Sequence, residues 1–323
     1  MKTAKHAVIG ALQERLSHPK ITAVISFCSN DFRFLKPCVE GVAPFCEQIL
    51  ITFCDHFFDG SEENYALLED AFRRFPQCTF LGFQFDLQET YHTFSSLFPE
   101  HPNWRHEWHN TGRMLSWFYS NTEYLFFLDC DEIVNQEQFS LWLQHADLQN
   151  YSAHRFAMFW HFREARFVAL AQNDLSLLVK KEFLKPDFLW DEDERMGLLL
   201  RLPGEKKTGV LGANGQPMIH HYTGVRTKEE FLKKCATWGH HWERNWEALI
   251  ENAYSQEFSG TDFIRHYHYR EEEPLFDPLL ETVPEYPRIS LDEYRKNLAN
   301  FLNVVTVDRR EIFRRQLEYE FFC

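Results

Sequence analysis

Short apolar runs alternate with stretches of helical periodicity along the first part of the chain. Runs rich in Val, Ile, Leu and Phe predict buried strands at residues 21–27, 48–55, 78–85 and 123–129. The spacing between them predicts helices over residues 33–46, from Ser61 to about Phe75, and within 101–121. Strands that alternate with helices form parallel sheets covered on both faces. The pattern therefore predicts an α/β fold whose mostly parallel sheet is flanked by helices.

After residue 136 the pattern is less regular. Further strands are predicted at residues 153–162, 166–172 and 175–183, and a charged helical stretch begins at Thr227. We find neither an internal repeat nor a low-complexity linker, so the second half is expected to pack against the first. The lysines of the helical stretch, Lys228, Lys233 and Lys234, are interpreted as a solvated helix face.

Composition narrows the classes of function. The formal net charge of −14 argues against a nucleic-acid partner, because binding to a phosphate backbone needs a basic surface. An anionic substrate would have to be met by local cations or by a metal ion. The eight cysteines show no metal-ligand spacing, and no secretion signal or transmembrane run is visible. These features predict reduced thiols and a cytoplasmic location.

Polar side chains follow three of the predicted strands. They are Ser29, Asn30 and Asp31 after the first, Asp55 and His56 after the second, and Asp129, Asp131 and Glu132 after the fourth. Ligands of parallel α/β sheets bind beyond the carboxyl ends of the strands. We therefore expect the functional site at this edge of the sheet.

The sequence EYLFFLDCDEIV, residues 123–134, places Asp129 and Asp131 at the end of an unbroken apolar run. Residues i and i+2 of an extended strand face the same side, so both carboxylates can converge on one point. Two carboxylates repel each other unless a cation lies between them, and Mg²⁺ or Mn²⁺ prefers oxygen ligands. A solvated strand end is the simpler explanation of this short motif. The flanking strand pattern favours a metal site.

Together with its neighbours, this motif resembles the nucleotide-binding part of GT-A glycosyltransferases, most closely the large inverting family two. The similar segments are ITFCDHFFDGSEEN, HNTGRMLSWFYSNTEYLFFLDCDE and HHYTGVRTKEEFLKKCATWGHHW, whose order and spacing cover about two-thirds of the chain. The resemblance implies a GT-A fold with a helical C-terminal region. It divides the chain into a nucleotide-sugar-binding half (residues 1–135), an acceptor-binding half (136–225) and a mainly helical region (226–323).

The resemblance also implies roles for individual residues. Asp55 would contact the base or ribose of the donor, and Ser29, Asn110, Arg113 and Arg226 would complete the donor site. His221 would join Asp129 and Asp131 as the third metal ligand. The sequence departs from the family where Cys130 occupies the middle of the acidic motif and where Gly224 replaces a tryptophan.

An inverting transfer also needs a carboxylate that accepts the proton of the acceptor hydroxyl. The acidic cluster in WDEDERMG has the position of this base in the resembling family. Asp193 is our candidate, with Asp191 and Glu192 as alternatives, and a surface charge run is the simpler explanation for each. Like-charged neighbours raise the pKa of a carboxyl group, which suits a base.

The sequence therefore predicts a metal-dependent glycosyltransferase. Its partners would be a nucleotide diphosphate sugar and a glycan, lipid or protein acceptor, and its cofactor Mn²⁺ or Mg²⁺. Two alternatives stay open. FFLDCDEIV also approximates the nucleophile motif of haloacid dehalogenase-like phosphohydrolases, although that family carries it on the first strand. The second alternative is a GT-A module that binds a sugar or nucleotide without catalysis.

Overall fold

The structure is a computed structural model that describes residues 19–84, 107–189 and 194–308, together with residues 311, 314 and 315. Its strands are β1 (Ile21–Ser26), β2 (Gln48–Cys54), β3 (Thr79–Phe83), β4 (Tyr124–Asp129), β5 (Glu132–Val134), β6 (Ala153–Phe162), β7 (Glu164–Ala169), β8 (Asn173–Lys180), β9 (Lys206–Val210), β10 (Ile219–Gly224), β11 (Tyr269–Glu271) and β12 (Val304–Val307). Its α-helices are α1 (Phe32–Val42), α2 (Tyr65–Arg74), α3 (Glu107–Tyr119), α4 (Gln136–Leu143), α5 (Glu194–Arg201), α6 (Lys228–Thr237), α7 (Trp246–Tyr254) and α8 (Leu291–Asn297).

The first half of the chain builds a parallel sheet. Strand β1 pairs in parallel with both β2 and β4, and β3 joins β2 in parallel. All six residues of β1 are buried, because helices cover both faces of the sheet. The predicted α/β class with helix-flanked parallel strands is confirmed. Ser26 and Asp129 lie side by side where β1 and β4 end, so the polar residues that follow these strands meet at one edge.

The second half continues the same sheet with mixed strand directions. Strand β8 runs antiparallel to both β4 and β6, whereas β10 is parallel to β6 and antiparallel to β5. The strands predicted at 153–162, 166–172 and 175–183 are present as β6, β7 and β8. The C-terminal region contributes α6, α7 and α8, but its strands β11 and β12 also pair with β7 and β3. It is therefore part of the central sheet, and the mainly helical character predicted for it is incomplete.

Two close approaches explain why glycine stands at particular positions. A Cβ atom at Gly112 would lie 2.6 Å from Oγ1 of Thr52, so this glycine lets α3 pack tightly on β2. A Cβ atom at Gly224 would lie 2.5 Å from the ring of Phe162. The aromatic core under β10 leaves no space for the tryptophan that the resembling family carries at that position.

None of the helices that the structure describes combines the length and the apolar character needed to span a lipid bilayer.

Candidate functional site

A cavity of about 600 Å³ opens at the carboxyl ends of β1 and β4. Its floor is charged and includes Asp31, Asp129, Asp131, Arg195 and Lys234. The part of its lining that comes from the C-terminal region is rich in aromatic and cationic side chains, among them Trp238, Trp242, Trp246, Arg244 and Arg265. Binding cavities for small molecules usually have volumes of about 300–1,000 Å³. The position and the size both indicate a ligand site.

The two aspartates of the acidic motif line this cavity, but not along an extended strand. Strand β4 ends at Asp129, and Cys130 and Asp131 form the turn that leads into β5. Backbone hydrogen bonds fix the turn, since Cys130 N donates to Ser26 O at 3.0 Å and Tyr222 N to Asp131 O at 2.9 Å. The expectation that both carboxylates point to one place as i and i+2 of a strand is thus corrected. The turn directs them to different partners.

Asp131 lies in a cluster with two cations. Lys234 Nζ donates to Asp131 Oδ2 at 2.7 Å and to Asp31 Oδ1 at 3.1 Å. Arg226 donates to Asp31 Oδ1 and, at 3.4 Å, to Asp131 Oδ2. We call Asp31, Asp131, Arg226 and Lys234 the Asp131 cluster. Its two carboxylates and two cations balance, so it carries no net charge.

Burial strengthens the ion pairs of this cluster. The side chain of Asp131 is 3% exposed and that of Lys234 is 13% exposed. Burial favours the neutral form of Asp131, yet Lys234 and His221 hold the pKa of its carboxyl group well below its usual range. Burial and nearby Arg226 disfavour a charge on Lys234, but Asp131 and Asp31 raise the pKa of its ammonium group above its usual value. Both partners are therefore charged near neutral pH.

Helix α6 positions Lys234, which the sequence analysis interpreted as part of a solvated face. Thr227 caps the helix with a capping box, in which Glu230 N donates to Thr227 Oγ1 and Thr227 N to Glu230 Oε2. Buried Phe231 and Cys235 then mark the inner face of the helix. Because residues three and four apart share a helix face, Lys234 falls beside them. This spacing is the sequence signal that could have identified it.

Asp129 belongs to a second group, in which Arg195 is central. Arg195 NH2 donates to Asp129 Oδ2 at 2.9 Å and to Glu132 Oε1 at 2.8 Å, and its NH1 donates to Glu132 Oε2 at 2.7 Å. Arg113 lies 3.6 Å from Asp129 Oδ1 and donates to Glu194 Oε2 at 3.0 Å. We call Asp129, Glu132, Arg195, Arg113 and Glu194 the Asp129 cluster. Glu132 was among the polar residues predicted at this strand end, but local sequence patterns did not indicate Arg195, which lies 63 residues later.

His221 has the predicted position next to Asp131. Strand β10 pairs with β5 so that His221 stands opposite Glu132, and His221 Nε2 lies 3.4 Å from Asp131 Oδ1. The ring of Trp160 packs against it, with 4.4 Å between the ring centroids. Asp131 and His221 are thus two of the three predicted metal ligands brought together.

The third predicted ligand, Asp129, is directed to Arg195. Among the described residues, no group of three or more His, Cys, Asp or Glu side chains is arranged to hold a metal ion. A divalent ion that prefers several oxygen ligands finds Asp131 Oδ2 already bound to Lys234. The predicted metal site at Asp129, Asp131 and His221 is therefore not assembled in this arrangement, because cations of the chain itself neutralise the carboxylates.

No family model matches the chain, and no curated protein matches it. Solved structures with similar folds include TarS 1-349 from S. aureus, at 10% identity with 72% of this chain and 77% of that chain covered and a TM-score of 0.38. Inositol-1-phosphate CTP transferase from T. maritima matches at 10% identity, with 68% and 97% covered and a TM-score of 0.40.

A third similar structure is glucosyl-3-phosphoglycerate synthase from Mycobacterium tuberculosis, solved with Mn²⁺, UDP and glucosyl-3-phosphoglycerate. Its identity to this chain is 14%, the alignment covers 83% of this chain and 93% of that chain, and the TM-score is 0.34. Similarities at these TM-scores do not indicate which reaction this protein catalyses. What the cavity binds has to follow from its own residues.

The residues predicted to hold the donor lie around the cavity rather than in its lining. Asp55 is buried and accepts from Arg295 NH2 at 3.0 Å, while His56 Nδ1 lies 2.9 Å from its other oxygen. Ser29 is buried and donates to Glu63. The role of Asp55 in binding a nucleoside and the role of Ser29 stay predictions, and their present partners are protein side chains.

Helix α3 places Asn110 and Arg113 below the cavity floor. Both are buried, and Arg113 NH1 is 3.5 Å from Asn110 Oδ1. Arg113 reaches the cavity through its contacts with Asp129 and Glu194, which do line it. Arg226 is also buried, and its guanidinium lies over the ring of Phe34 with 4.8 Å to the centroid. These two arginines therefore hold lining carboxylates in place.

The candidate base falls outside the described residues. This applies to Asp193, Asp191 and Glu192 alike, so their role stays a prediction. The next residue, Glu194, is described, begins α5 and lines the cavity.

Proposed function

We propose that the protein is a glycosyltransferase that moves a sugar from a nucleoside diphosphate sugar to an acceptor hydroxyl group. The observation that carries this proposal is the lining of the cavity, which combines charged side chains near the carboxyl ends of β1 and β4 with aromatic side chains of the C-terminal region. Ammonium and guanidinium groups bind phosphate oxygens, and aromatic rings offer flat apolar faces to a sugar or a base. A nucleotide sugar contains both kinds of group.

Buried polar atoms without partners support a ligand in the cavity. Among the described residues, nothing accepts a hydrogen bond from Trp160 Nε1 or Trp238 Nε1, and nothing donates to Asn30 Oδ1. All three side chains line the cavity. Buried polar groups of folded proteins are nearly always hydrogen-bonded, so these atoms favour a ligand that supplies two acceptors and a donor. Sugar hydroxyl groups supply both.

The reaction we propose inverts the configuration of the sugar. The acceptor oxygen attacks the anomeric carbon, the bond from that carbon to the diphosphate breaks, and a carboxylate takes the acceptor's proton. We assign the carboxylate to Asp193, with Asp191 and Glu192 as alternatives. Asp193→Asn should reduce kcat strongly and leave donor affinity nearly unchanged, since the base acts on the acceptor. A fully active Asp193→Asn would move the base to another residue.

The decisive experiment is a turnover assay with a panel of nucleotide sugars. Each donor is incubated with the protein and mixed glycan, lipid and peptide acceptors, in Mn²⁺, in Mg²⁺ and in EDTA. Release of a nucleoside diphosphate together with a glycosylated product is the expected result. Product analysis then reads the anomeric configuration, and a retained configuration would contradict the inverting mechanism. Absence of turnover with every donor would contradict the proposal.

The two alternatives make different predictions in the same assay. A phosphohydrolase would release phosphate from phosphomonoesters, and its nucleophile would stand at the end of the first strand of the sheet. Here Asp129 ends the fourth strand in chain order, and Arg195 and Glu132 fix its surroundings. A silent binding module would bind a donor without releasing the nucleotide.

A further inference from the structure

Lys234 is bound to Asp131, which the sequence analysis predicts as a metal ligand. Its ammonium group lies 2.7 Å from Asp131 Oδ2 and lines the cavity. An ammonium group carries three N–H donors. Two of them serve Asp131 and Asp31, and among the described residues no further acceptor is bound to Lys234. One donor of this largely enclosed cation, whose side chain is 13% exposed, is left for a ligand in the cavity.

Arg226 differs from Lys234 in its position, because four of its five N–H groups are bound within the protein and its side chain does not line the cavity. Its Nε donates to Thr223 O at 3.1 Å and its NH1 to Asn30 O at 2.8 Å, while its NH2 serves Asp31 and Asp131. It is 2% exposed and does not belong to the lining of the cavity. Arg226 therefore holds the two carboxylates, and Lys234 faces the substrate.

Charge balance argues against a divalent ion at the same place. The two carboxylates of the Asp131 cluster are already neutralised by Arg226 and Lys234. An ion bound to Asp131 Oδ2 at about 2.0–2.6 Å would lie next to the ammonium group that occupies this oxygen. Repulsion between like charges at such short distances is strong in a buried site.

We propose that Lys234 contacts the diphosphate of the donor in the place predicted for a metal ion, and that donor binding needs no divalent metal. The inference rests on the proposed function, because it names the group that meets the donor. The role is that of a donor-binding residue. A divalent ion supplies positive charge to a diphosphate leaving group. Here the third N–H of Lys234 supplies it.

The test is calorimetric titration of the whole chain with UDP, GDP, ADP and CDP, in EDTA and again in Mn²⁺. We expect one nucleotide to bind in EDTA with a dissociation constant within about twofold of that in Mn²⁺, a difference well below 1 kcal/mol. Lys234→Met should weaken that binding about tenfold or more, as expected when a hydrogen bond to a charged group is lost. Lys233→Met is the matched control, because Lys233 is the exposed neighbour on the same helix.

The wild-type titration decides the question even if Lys234→Met does not fold. Binding that requires Mn²⁺ or Mg²⁺ would overturn the inference and leave the proposed function standing. Equal affinity of folded Lys234→Met and Lys233→Met would overturn it as well. Failure of all four nucleotides to bind in both conditions would overturn the inference and the proposed function together.

Discussion

Asp129 and Asp131 are two residues apart, yet the Asp131 cluster and the Asp129 cluster are built differently. In the first, both cations come from the segment after β10, and they neutralise two carboxylates from the ends of β1 and β4. In the second, Arg195 binds the fully buried Glu132 with two hydrogen bonds and contacts Asp129 with one further bond. The Asp129 side chain is 28% exposed, against 3% for Asp131.

The sequence motif suggests that Asp129 and Asp131 share one role, but their different surroundings indicate two separate roles. Arg195 of the Asp129 cluster makes two of its hydrogen bonds to Glu132, which is fully buried and does not line the cavity. The lysine of the Asp131 cluster has a donor that points to no described protein acceptor. We conclude that the Asp129 cluster fixes the floor of the cavity, whereas the Asp131 cluster presents charge to a ligand.

The largest effect is expected from Arg195→Met. Removing this side chain leaves Glu132 buried without its ion pair, and breaking a buried pair costs about 3–5 kcal/mol. We expect the free energy of unfolding, measured with urea, to fall by that amount. Arg195→Met combined with Glu132→Gln should recover part of the loss, because the uncompensated charge is removed.

The control for this experiment is Arg201→Met on the same helix, where the side chain is exposed. Its effect should stay within about 0.5 kcal/mol. If Arg195→Met were equally mild, the Asp129 cluster would not be the structural part of the floor, and the comparison of the two clusters would fail.

A smaller and more discriminating effect is expected from the aspartates themselves. Asp131→Asn should lower the free energy of unfolding by about 2–3 kcal/mol, since hydrogen bonds to two buried cations lose their charge. Asp129→Asn should cost about 1 kcal/mol or less, because the side chain is partly exposed and Arg195 keeps Glu132. Equal losses for the two variants, again by urea unfolding, would show that the clusters are equivalent.

The last expected effect is the change of the Asp131 contribution with pH. The folded state holds the pKa of Asp131 below its value in the unfolded chain, so the unfolded chain binds the proton more tightly. The stabilisation is present above about pH 4 and is lost as the pH falls further. Urea unfolding of wild type and Asp131→Asn between neutral and acid pH should therefore give free energies that converge below about pH 4. A constant difference at all pH values would contradict the assignment.

Buried histidines act at a higher pH and affect both proteins alike. Burial lowers the pKa of His161 to about 4 and that of His220 to about 3. Both must be protonated on unfolding in acid, so their contribution falls as the pH drops below about 6.5. Wild type and Asp131→Asn both contain these histidines. The difference between their free energies of unfolding therefore reports the contribution of the Asp131 carboxylate.

Much of the parallel sheet could be predicted because its signals are local. The apolar runs gave β1 as residues 21–27, where the structure has Ile21–Ser26, and β2 as 48–55, where it has Gln48–Cys54. Helix α2 begins at Tyr65 rather than at Ser61, because Asn64 caps it and Ser61 bonds to Asp59 instead. Pairing of β12 with β3 had no local signal, since it joins segments more than two hundred residues apart.

The candidate site was predicted only as far as its strand ends. Asp129, Asp131 and His221 were found because they follow or belong to strands with clear patterns. Arg195 was missed, because nothing near it in the sequence indicates its ion pair with Glu132, which lies 63 residues earlier. Lys234 was predicted to face solvent because it is charged, although its spacing of three residues from Phe231 places it near the inner face of the helix. In both cases a tertiary contact overrides the usual preference of a charged residue for water.

The Asp131 cluster also sets an order of events during synthesis. Arg226 and Lys234 follow Asp131 by 95 and 103 residues, so a ribosome makes both acids of the cluster long before either cation. Because an unpaired carboxylate resists burial, we expect the turn after β4 to stay hydrated until α6 has been synthesised and packs against it. Until then, the parallel sheet would lack the two cations that neutralise Asp31 and Asp131, and the last third of the chain supplies them. Translation of the C-terminal region, not of the sheet alone, completes the pocket.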